Sequence, residues 1–264
     1  MKIDFHVHGK MTSRFPFKRD GFLLMVEEAK AGGLDALTIT EHCNALKYNQ
    51  GYEYLVKHHE RVGDCFMVNG IKVFYGMEVS TEEGLDILMI GTPEVVLKFR
   101  KLVRKNGNKE RHNLIGVEKL FSLGVPDELL VILAHPLRKH EKLIALSENV
   151  INRLDAIETN VSDCYTFGVK ENSKNIAKIC AELNKPNTAG SDSHQFFQIS
   201  CAYNELEKET TSVSEIKKMV VNREFKIAFS NELMLRVRAA KIIKKITTKR
   251  VKKEKEWKSY LLKI

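Results

Sequence analysis

Residues 2–9 read K-I-D-F-H-V-H-G, and this segment sets the expectation for the whole fold. Three apolar residues alternate here with Asp4, His6 and His8, which is the pattern of a β-strand with one apolar face. Alternate residues of a strand lie on one side about 6 to 7 Å apart, so two imidazoles can converge on one metal ion. Two histidines facing solvent at a strand edge are an equally compatible interpretation of this segment alone.

The composition bounds the class of protein. A chain of 264 residues can bury a full core, either as one domain of barrel size or as two. The five scattered cysteines form no C-x-x-C pair, which argues against a disulfide framework and against a cysteine zinc knuckle. No signal-peptide pattern and no run of about 18 apolar residues are present. We therefore expect a cytoplasmic protein with no membrane partner.

The positive charge is concentrated at the C-terminus. Residues 231–264 contain twelve Lys or Arg and three Glu, which accounts for the whole net charge of +9. The sequence thus divides into a neutral body, 1–230, and a basic extension, 231–264. In the extension Leu235, Ala239, Ile242 and Ile246 follow helical spacing, which predicts a helix with this face docked on the body. Its basic side chains are either a solvated face or a weak binding surface for RNA or DNA.

Strands and helices alternate along the body. Strands are predicted for residues 2–8, 35–40, 71–79, 85–91, 128–135, 153–159 and 186–192, and helices for 22–33, 50–63, 94–105 and 173–184. Such alternation indicates β-α units with a largely parallel sheet. No internal repeat interrupts it before the basic extension.

Polar residues follow the ends of these predicted strands. The C-terminal strand ends of a parallel α/β barrel share one face, where active sites are built. Five of the nine histidines and several carboxylates therefore converge in this interpretation, namely His6, His8, His42, Glu78, His135, Asp192 and His194.

The same residues carry a family resemblance. The motifs D-F-H-V-H, T-E-H, G-M-E, A-H-P and S-D-S-H occur in this order between residue 4 and residue 194. In this respect the chain resembles the PHP domain, the polymerase and histidinol phosphatase superfamily of metal-dependent phosphoesterases. The resemblance implies a distorted seven-stranded (β/α) barrel, to which this chain adds the basic helical extension. It also implies two or three divalent metal ions, namely zinc, manganese or iron.

The resemblance assigns ligands to these ions. The first ion is held by His6, His8 and Asp192, and Glu78 bridges to a second ion that His135 also binds. A third ion takes His42 and His194, together with an aspartate that many members supply just before the first helix. In this sequence that residue is Asp20, although a helix N-cap is the alternative role for it.

Two positions depart from the family pattern. The usual T-D-H motif is T-E-H here, with Glu41 as the acidic residue. A histidine that often follows the G-x-E motif is absent, and Asp86 is the nearest match as a ligand of the second ion. A carboxylate there favours manganese or iron over zinc. His112 is the competing candidate, and Glu158 is either a support of the ligands or a loop cap.

The implied function is phosphoester hydrolysis. We expect hydrolysis of a phosphate mono- or diester of a small molecule or nucleotide by a metal-bridged hydroxide, with His6, His8, Glu78, His135, Asp192 and His194 as catalytic residues. Arg14 and Arg138 are the candidates for binding the phosphate, since Arg matches phosphate geometry with paired donors. The alternatives are a nuclease or phosphodiesterase acting on DNA or RNA ends, and a non-catalytic binding module on a PHP barrel.

Overall fold

A mixed β-sheet curls into a nearly closed barrel at the centre of the protein. The computed structural model describes residues 1–10, 16–110, 112–143 and 146–253. The strands are β1 (Lys2–Val7), β2 (Ala36–Ile39), β3 (Glu60–Val62), β4 (Cys65–Val68), β5 (Ile71–Ser80), β6 (Asp86–Gly91), β7 (Leu130–Ala134), β8 (Ala156–Asn160), β9 (Asn187–Gly190), β10 (Ala202–Leu206) and β11 (Phe225–Phe229). They join in the order β11-β10-β1-β2-β5-β6-β7-β8-β9, and β3 and β4 form a hairpin on β5.

The two ends of the barrel wall meet beside β1. Val7 forms a parallel bridge with Ser193, just after β9, and the His8 amide donates to the Ser193 carbonyl at 2.8 Å. The wall from β1 to β9 therefore contains seven strands, β1, β2, β5, β6, β7, β8 and β9. This is the distorted (β/α) barrel that the motifs predict, and the predicted fold class is confirmed.

The sheet is less parallel than the sequence pattern predicts. β6 runs antiparallel to both β5 and β7, whereas β1-β2-β5 and β7-β8-β9 are parallel. The reason is the connection 81–85, which is too short for a crossover and closes as a hairpin turn with Gly84 at φ +84. As a consequence β6 begins, rather than ends, at the end of the barrel where the parallel strands finish.

Helices cover the outside of the barrel. They are α1 (Arg19–Ala31), α2 (Gln50–His58), α3 (Pro93–Asn106), α4 (Val117–Ser122), α5 (His140–Leu143), α6 (Glu148–Arg153), α7 (Val161–Phe167), α8 (Val169–Glu182), α9 (Val213–Val221) and α10 (Leu233–Lys253). The predicted helix 50–63 is too long, because residues from Glu60 onward pair with β4 as β3. No helix among the described residues is long and apolar enough to cross a membrane.

The first strand is buried on both sides. Ile3 and Phe5 pack in one apolar cluster, whereas Val7 packs in another cluster beside α1, and the β1–β2 register shifts between Asp4 and Val7. His6 and His8 are also fully buried. The interpretation of these histidines as solvent-facing edge residues is therefore wrong.

The basic extension begins as α10, but a different helix face docks. Leu233, Val237 and Ala240 are buried, and the first two pack with residues of α7 and β10 in one apolar cluster. The predicted docking face is wrong, since Leu235 is 70% exposed and Ile242 and Ile246 are also exposed. The segment is a helix, as its spacing predicts. The face that packs against α7 is the neighbouring stripe with Leu233, Val237 and Ala240. The boundary between 1–230 and 231–264 stays a prediction.

Candidate metal centre

Candidate ligand side chains gather where the barrel strands finish. His6 and His8 come from the end of β1, His42 follows β2, and Glu78 lies near the end of β5. His135 directly follows β7, and the segment after β9 supplies Asp192 and His194. The geometry arranges these side chains in three overlapping clusters, each with ligand atoms within 4.8 Å of one another.

The first cluster consists of His6, His8 and Asp192. The two Nε2 atoms of the histidines are 3.2 Å apart. Oδ1 of Asp192 lies 3.6 Å from Nε2 of His6 and 3.2 Å from Nε2 of His8. The structure thus brings together the three side chains that the family resemblance assigns to the first ion.

The second cluster consists of His6, Glu78 and His135. Oε1 of Glu78 lies 3.5 Å from His6 Nε2 and 3.2 Å from His135 Nε2. Oδ2 of Asp86 lies 3.6 Å from the same His135 nitrogen. Asp86 reaches this place because the antiparallel β6 begins there, paired with Ser80 on one side and Ala134 on the other.

The third cluster consists of His8, His42 and His194. The His8 ring stacks on both partners, with centroid distances of 4.6 Å to His42 and 4.1 Å to His194. Nδ1 of His42 also lies 2.8 Å from Oε2 of Glu78. His8 therefore takes the place in this cluster that the resemblance gives to Asp20.

A buried carboxylate behind the clusters orients two of the ligands. Oε1 of Glu158 lies 2.8 Å from Nδ1 of His6, which leaves Nε2 of that ring facing the clusters. Its other oxygen accepts hydrogen bonds from the His135 backbone amide and from the Asn160 side chain, both at 3.0 Å. Of the two roles open for Glu158 from sequence, the structure supports that of a residue behind the ligands.

The ligands perturb one another electrostatically. Burial opposes charge on His8, but Asp192, Glu41 and Glu78 raise its pKa to about 9. Burial likewise opposes charge on Glu78, yet the imidazoles around it, His42 and His6 first, hold its pKa well below the usual range. Positive charge around Glu78 thus stabilises its ionised form. Protons on the imidazoles supply it, and a divalent cation can replace them, since metal binding displaces protons from its ligands.

Two candidate ligands have an unusual backbone. His135 has φ +31 and Asp192 has φ +51, in or near the left-handed region that side chains other than glycine rarely adopt. Such a conformation costs of order 1–3 kcal/mol per residue and concentrates at functional sites, where the surroundings enforce it. This strain is an observation independent of the ligand distances.

The donor set fits a divalent cation. Imidazole and carboxylate are the ligands that zinc, manganese and iron take in proteins. Oε2 of Glu78 is buried and, despite its 2.8 Å approach to His42 Nδ1, has no hydrogen-bond partner among the described residues. Ligand atoms that face each other closely without hydrogen-bond geometry are expected around a shared cation. His6, His8 and Asp192 would hold one such cation, and His6, Glu78 and His135 a second.

Three predicted positions lie away from the clusters. The Asp20 side chain is 93% exposed in the first turn of α1 and pairs with Arg19, so the geometry gives its ligand role no support. The N-cap role is wrong as well, because Lys18 occupies that position. His112 is exposed and belongs to no cluster among the described residues. Arg14 lies outside the described residues.

The predicted phosphate-binding Arg138 borders the first cluster. Its guanidinium donates to Asp192 and Asn160 through Nη2 and to Asp163 through Nε, at 3.0 to 3.1 Å. Sequence reasoning missed the basic side chains that α10 adds beside it. Nζ of Lys241 lies 4.4 Å from the Tyr165 ring centroid, and burial lowers the pKa of Lys244, which also interacts with Asp192 and Arg138.

Asp86 and His112 can be distinguished by mutation. We expect Asp86→Ala to weaken binding of the second metal ion about 10- to 100-fold, because its carboxylate lies beside His135. His112→Ala should leave metal binding unchanged, because that ring is exposed and outside the clusters. Titration of the stripped proteins with Mn²⁺ under calorimetric detection measures both. Equal affinity of Asp86→Ala and the parent protein would contradict this assignment.

Gly190, at the end of β9, leaves room for the His6–Glu158 pair, a requirement that the sequence did not reveal. A Cβ atom at this position would lie 2.7 Å from Cβ of His6 and even closer to Oε1 of Glu158. We therefore expect Gly190→Ala to displace the His6–Glu158 pair and to lower metal content measured by elemental analysis. The control is Gly21→Ala in α1, where a Cβ atom meets no close atom and metal content should not change. Gly124 is unsuitable as a control because its φ is positive. Unchanged metal content in Gly190→Ala would show that His6 does not need Glu158 in place.

The fold and the clusters together define an α/β barrel with imidazole and carboxylate side chains, candidate metal ligands, gathered at one end. The PHP domain model matches residues 6–185, and the model of the PHP-associated region matches residues 171–223. The chain belongs to the PHP domain family, and the resemblance drawn from the motifs is confirmed. A search of curated protein sequences finds no significant match.

Solved structures share the fold at low identity. PsfC from Pseudomonas syringae PB-5123 is 19% identical, with a TM-score of 0.71 over 92% of this chain and 97% of PsfC. The lesion-specific endonuclease PfuEndoQ from Pyrococcus furiosus is 20% identical, with a TM-score of 0.61 over 86% of this chain. Endonuclease Q bound to a 27-mer duplex with an abasic lesion is 19% identical, with a TM-score of 0.58 over 83% of this chain. This chain spans 57% and 56% of those two endonuclease chains.

Proposed function

We propose that the protein is a metal-dependent phosphoesterase that hydrolyses a phosphate mono- or diester of a small molecule or nucleotide. The observation that carries the proposal is that neighbouring clusters share candidate ligands. His6 belongs to the first and second clusters, and His8 belongs to the first and third. Shared ligands favour ions close together. When bound, neighbouring divalent ions lower the pKa of water and neutralise charge on phosphoryl oxygens.

The chain itself supplies the orientation of the phosphate. Arg138 is held in place by Asp163 and Asp192, so its guanidinium is positioned at the edge of the first cluster before any substrate arrives. Lys241 and Lys244 add positive charge from α10 on the same side. These groups are suited to bind non-reacting phosphoryl oxygens, because charge-assisted hydrogen bonds to phosphate are strong and directional.

His194 is suited to hold a cation together with His8 and His42. Burial and the neighbouring His8 hold the pKa of this ring well below the usual value, which favours the neutral imidazole, the form that binds a cation. Its Nδ1 lies 3.2 Å from the Lys10 carbonyl, which fixes the ring orientation. In this proposal His194 is therefore a ligand of the third cluster, and the leaving group takes its proton from water.

A panel of phosphoesters tests this function. The protein loaded with Mn²⁺ or Zn²⁺ is assayed with p-nitrophenyl phosphate, its bis-ester and a labelled oligonucleotide. Turnover of the first two at a higher kcat/KM than the oligonucleotide supports the proposal. Preferential cleavage of the oligonucleotide supports the nuclease alternative. The absence of turnover on all three at full metal loading would contradict the proposal and favour a non-catalytic binding module.

A nuclease is the second candidate because of the basic extension. Twelve Lys or Arg lie in 231–264, and a polyanion that follows α10 would approach the first cluster past Lys244. Endonuclease Q, which shares the fold, is described in complex with a 27-mer duplex substrate that has an abasic lesion at the active site. For this chain a nucleic-acid substrate is a proposal that rests on charge.

Deletion of residues 247–264 separates the two candidates. We expect the parent protein to bind RNA or DNA weakly, with a Kd of about 1 μM or higher, and to lose this binding steeply with salt. The truncated protein should lose nucleic-acid binding yet keep hydrolysis of a small phosphoester, because it retains Lys241 and Lys244. A gel-shift titration measures the first property. No binding by the parent protein even at about 50 mM salt would contradict the nucleic-acid role of the extension.

A further inference from the structure

A large cavity lies beside the third cluster. It has a volume of about 1030 Å³ and is formed by the segment after His42, by α3 and by residues 112–114. Its wall continues the ligand segments, because His42 is followed directly by Cys43 and Asn44. Nε of Arg100 donates to the Cys43 carbonyl at 2.9 Å. A molecule bound at the clusters could therefore extend into this cavity.

A second connection comes from the loop after β1. Lys10, two residues after His8, donates from Nζ to the Leu46 carbonyl at 2.6 Å. Leu46 lines the cavity. The two segments that follow metal-ligand candidates of the third cluster are thus tied together at the cavity edge. This contact fixes the position of the cavity relative to His8 and His42.

The lining is strongly basic. The basic side chains in the lining are Lys47, Arg100, Arg104 and His112. The only carboxylate among the described lining residues is Glu53. Among the described residues, neither arginine forms an ion pair with a carboxylate. Cations that share a cavity repel one another, so a bound anion would stabilise this arrangement.

The two arginines are prepared for an acceptor in different ways. The Arg100 guanidinium lies 4.1 Å above the Tyr48 ring centroid, and the Tyr48 hydroxyl donates to the Gly76 carbonyl at 2.6 Å. Arg100 is thereby held rigidly. Nη1 of Arg104 is buried and has no hydrogen-bond partner among the described residues. Buried donors without a partner are rare, and the Arg104 side chain that carries this unused donor also lines the cavity.

The cavity rim is also strained. Lys47, His112 and Asn113 have φ values of +53, +55 and +61, in the left-handed region. Asn and His tolerate this region better than most residues, whereas Lys seldom adopts it. Strained residues of this kind cluster at ligand-binding segments.

We propose that this cavity binds a second anionic group of the substrate, a phosphate or a carboxylate, through Arg100 and Arg104. The proposal rests on the proposed phosphoesterase function and narrows it. The substrate is a phosphate ester whose scissile phosphate lies at the clusters while its second anionic group lies on the arginines. A volume of this size accommodates the connecting carbon skeleton as well.

Matched substrates and variants test the proposal on the metal-loaded protein. The substrates are alkanediol monophosphates, the corresponding bisphosphates and ω-phosphoryloxy carboxylates, each in a series of increasing chain length. For the parent protein we expect KM to be about tenfold lower for a doubly anionic substrate of suitable length than for its monophosphate. The preferred series, bisphosphate or carboxylate, identifies the second group.

Arg104→Met should raise KM for the doubly anionic substrate about tenfold, leave kcat nearly unchanged and leave the monophosphate unaffected. Arg104→Lys should restore part of the affinity, because a cation returns. Lys105→Met, an exposed neighbour on α3, is the control and should change nothing. A parent protein that does not distinguish the two substrates would overturn the proposal, as would an equal rise of both KM values in Arg104→Met.

A non-reacting ligand separates this inference from the proposed function. Alkane bisphosphonates, which contain no hydrolysable ester, are titrated by calorimetry into the parent protein and Arg104→Met. Binding that weakens about tenfold in the variant supports the anion site even if no phosphoester is turned over, in which case only the phosphoesterase proposal fails. Binding that is absent in the parent protein, or equal in both proteins, would overturn the anion site.

Discussion

The His6→Ala protein is expected to lose metal ions from two clusters at once. His6 contributes Nε2 to the first cluster with His8 and Asp192, and to the second with Glu78 and His135. Truncation removes this ligand and leaves Glu158 buried without its 2.8 Å partner. We expect metal content to fall by at least one ion per chain and phosphoester hydrolysis to fall roughly 100-fold or more. Elemental analysis and the p-nitrophenyl phosphate assay measure the two effects.

Two histidine variants are the controls for this result. His58→Ala changes an exposed residue at the end of α2 and should retain full metal content. His194→Ala removes a member of the third cluster only, and should keep the ions of the other two. Circular dichroism should report a folded barrel in every case, since the apolar clusters do not depend on these rings. Full metal content in His6→Ala would contradict the assignment of both clusters.

The second large effect is expected for Glu78→Gln. This substitution keeps the size of the side chain and removes its charge, and Glu78 lies 2.8 to 3.5 Å from His6, His8, His42 and His135. Four imidazoles then lose their shared counter-charge, and any bridging role between ions is weakened. We expect kcat for a small phosphoester to fall roughly 100-fold or more.

Glu128→Gln is the matched control, because this carboxylate is exposed just before β7. It should retain the activity of the parent protein. A measured kcat within about twofold of the parent for Glu78→Gln would show that the reaction does not depend on a negative charge at this position. That result would leave only the first and third clusters as candidates for the reacting site.

The sequence predicted well which candidate ligands come together after the strand ends. His6, His8, Glu78, His135 and Asp192 could be placed together, because parallel strands of a barrel finish on one face. The alternation around His6 and His8 also located the first strand correctly. Local periodicity and one topological rule were sufficient for these residues.

Other parts of the site depend on contacts between distant segments. The hairpin at 81–85 makes β6 antiparallel, and this direction brings Asp86 to His135. The alternation of strands and helices along the sequence suggested a parallel strand instead. Glu158 supports His6 from more than 150 positions away in sequence. Gly190 closely approaches both residues, and it lies more than 30 positions after Glu158. No periodicity encodes such contacts.

The basic extension shows a third kind of limit. Helical spacing predicted α10, yet two neighbouring apolar stripes were available, and packing against α7 selected the one with Leu233 and Val237. The arginine-lined cavity likewise joins α3 to the segment after His42. Arg100 and Arg104 are ordinary basic residues of an amphipathic helix when only the sequence is considered.

Metal content and turnover, measured together on the parent protein, test the central claim most directly. The purified chain is analysed for zinc, manganese and iron, assayed on p-nitrophenyl phosphate and its bis-ester, stripped with a chelator and assayed again after each metal is returned. We predict at least two ions per chain, turnover that disappears on stripping, and turnover that returns with the metal. Fewer than one ion per chain after metal loading, or turnover that survives complete stripping, would contradict a metal-dependent phosphoesterase.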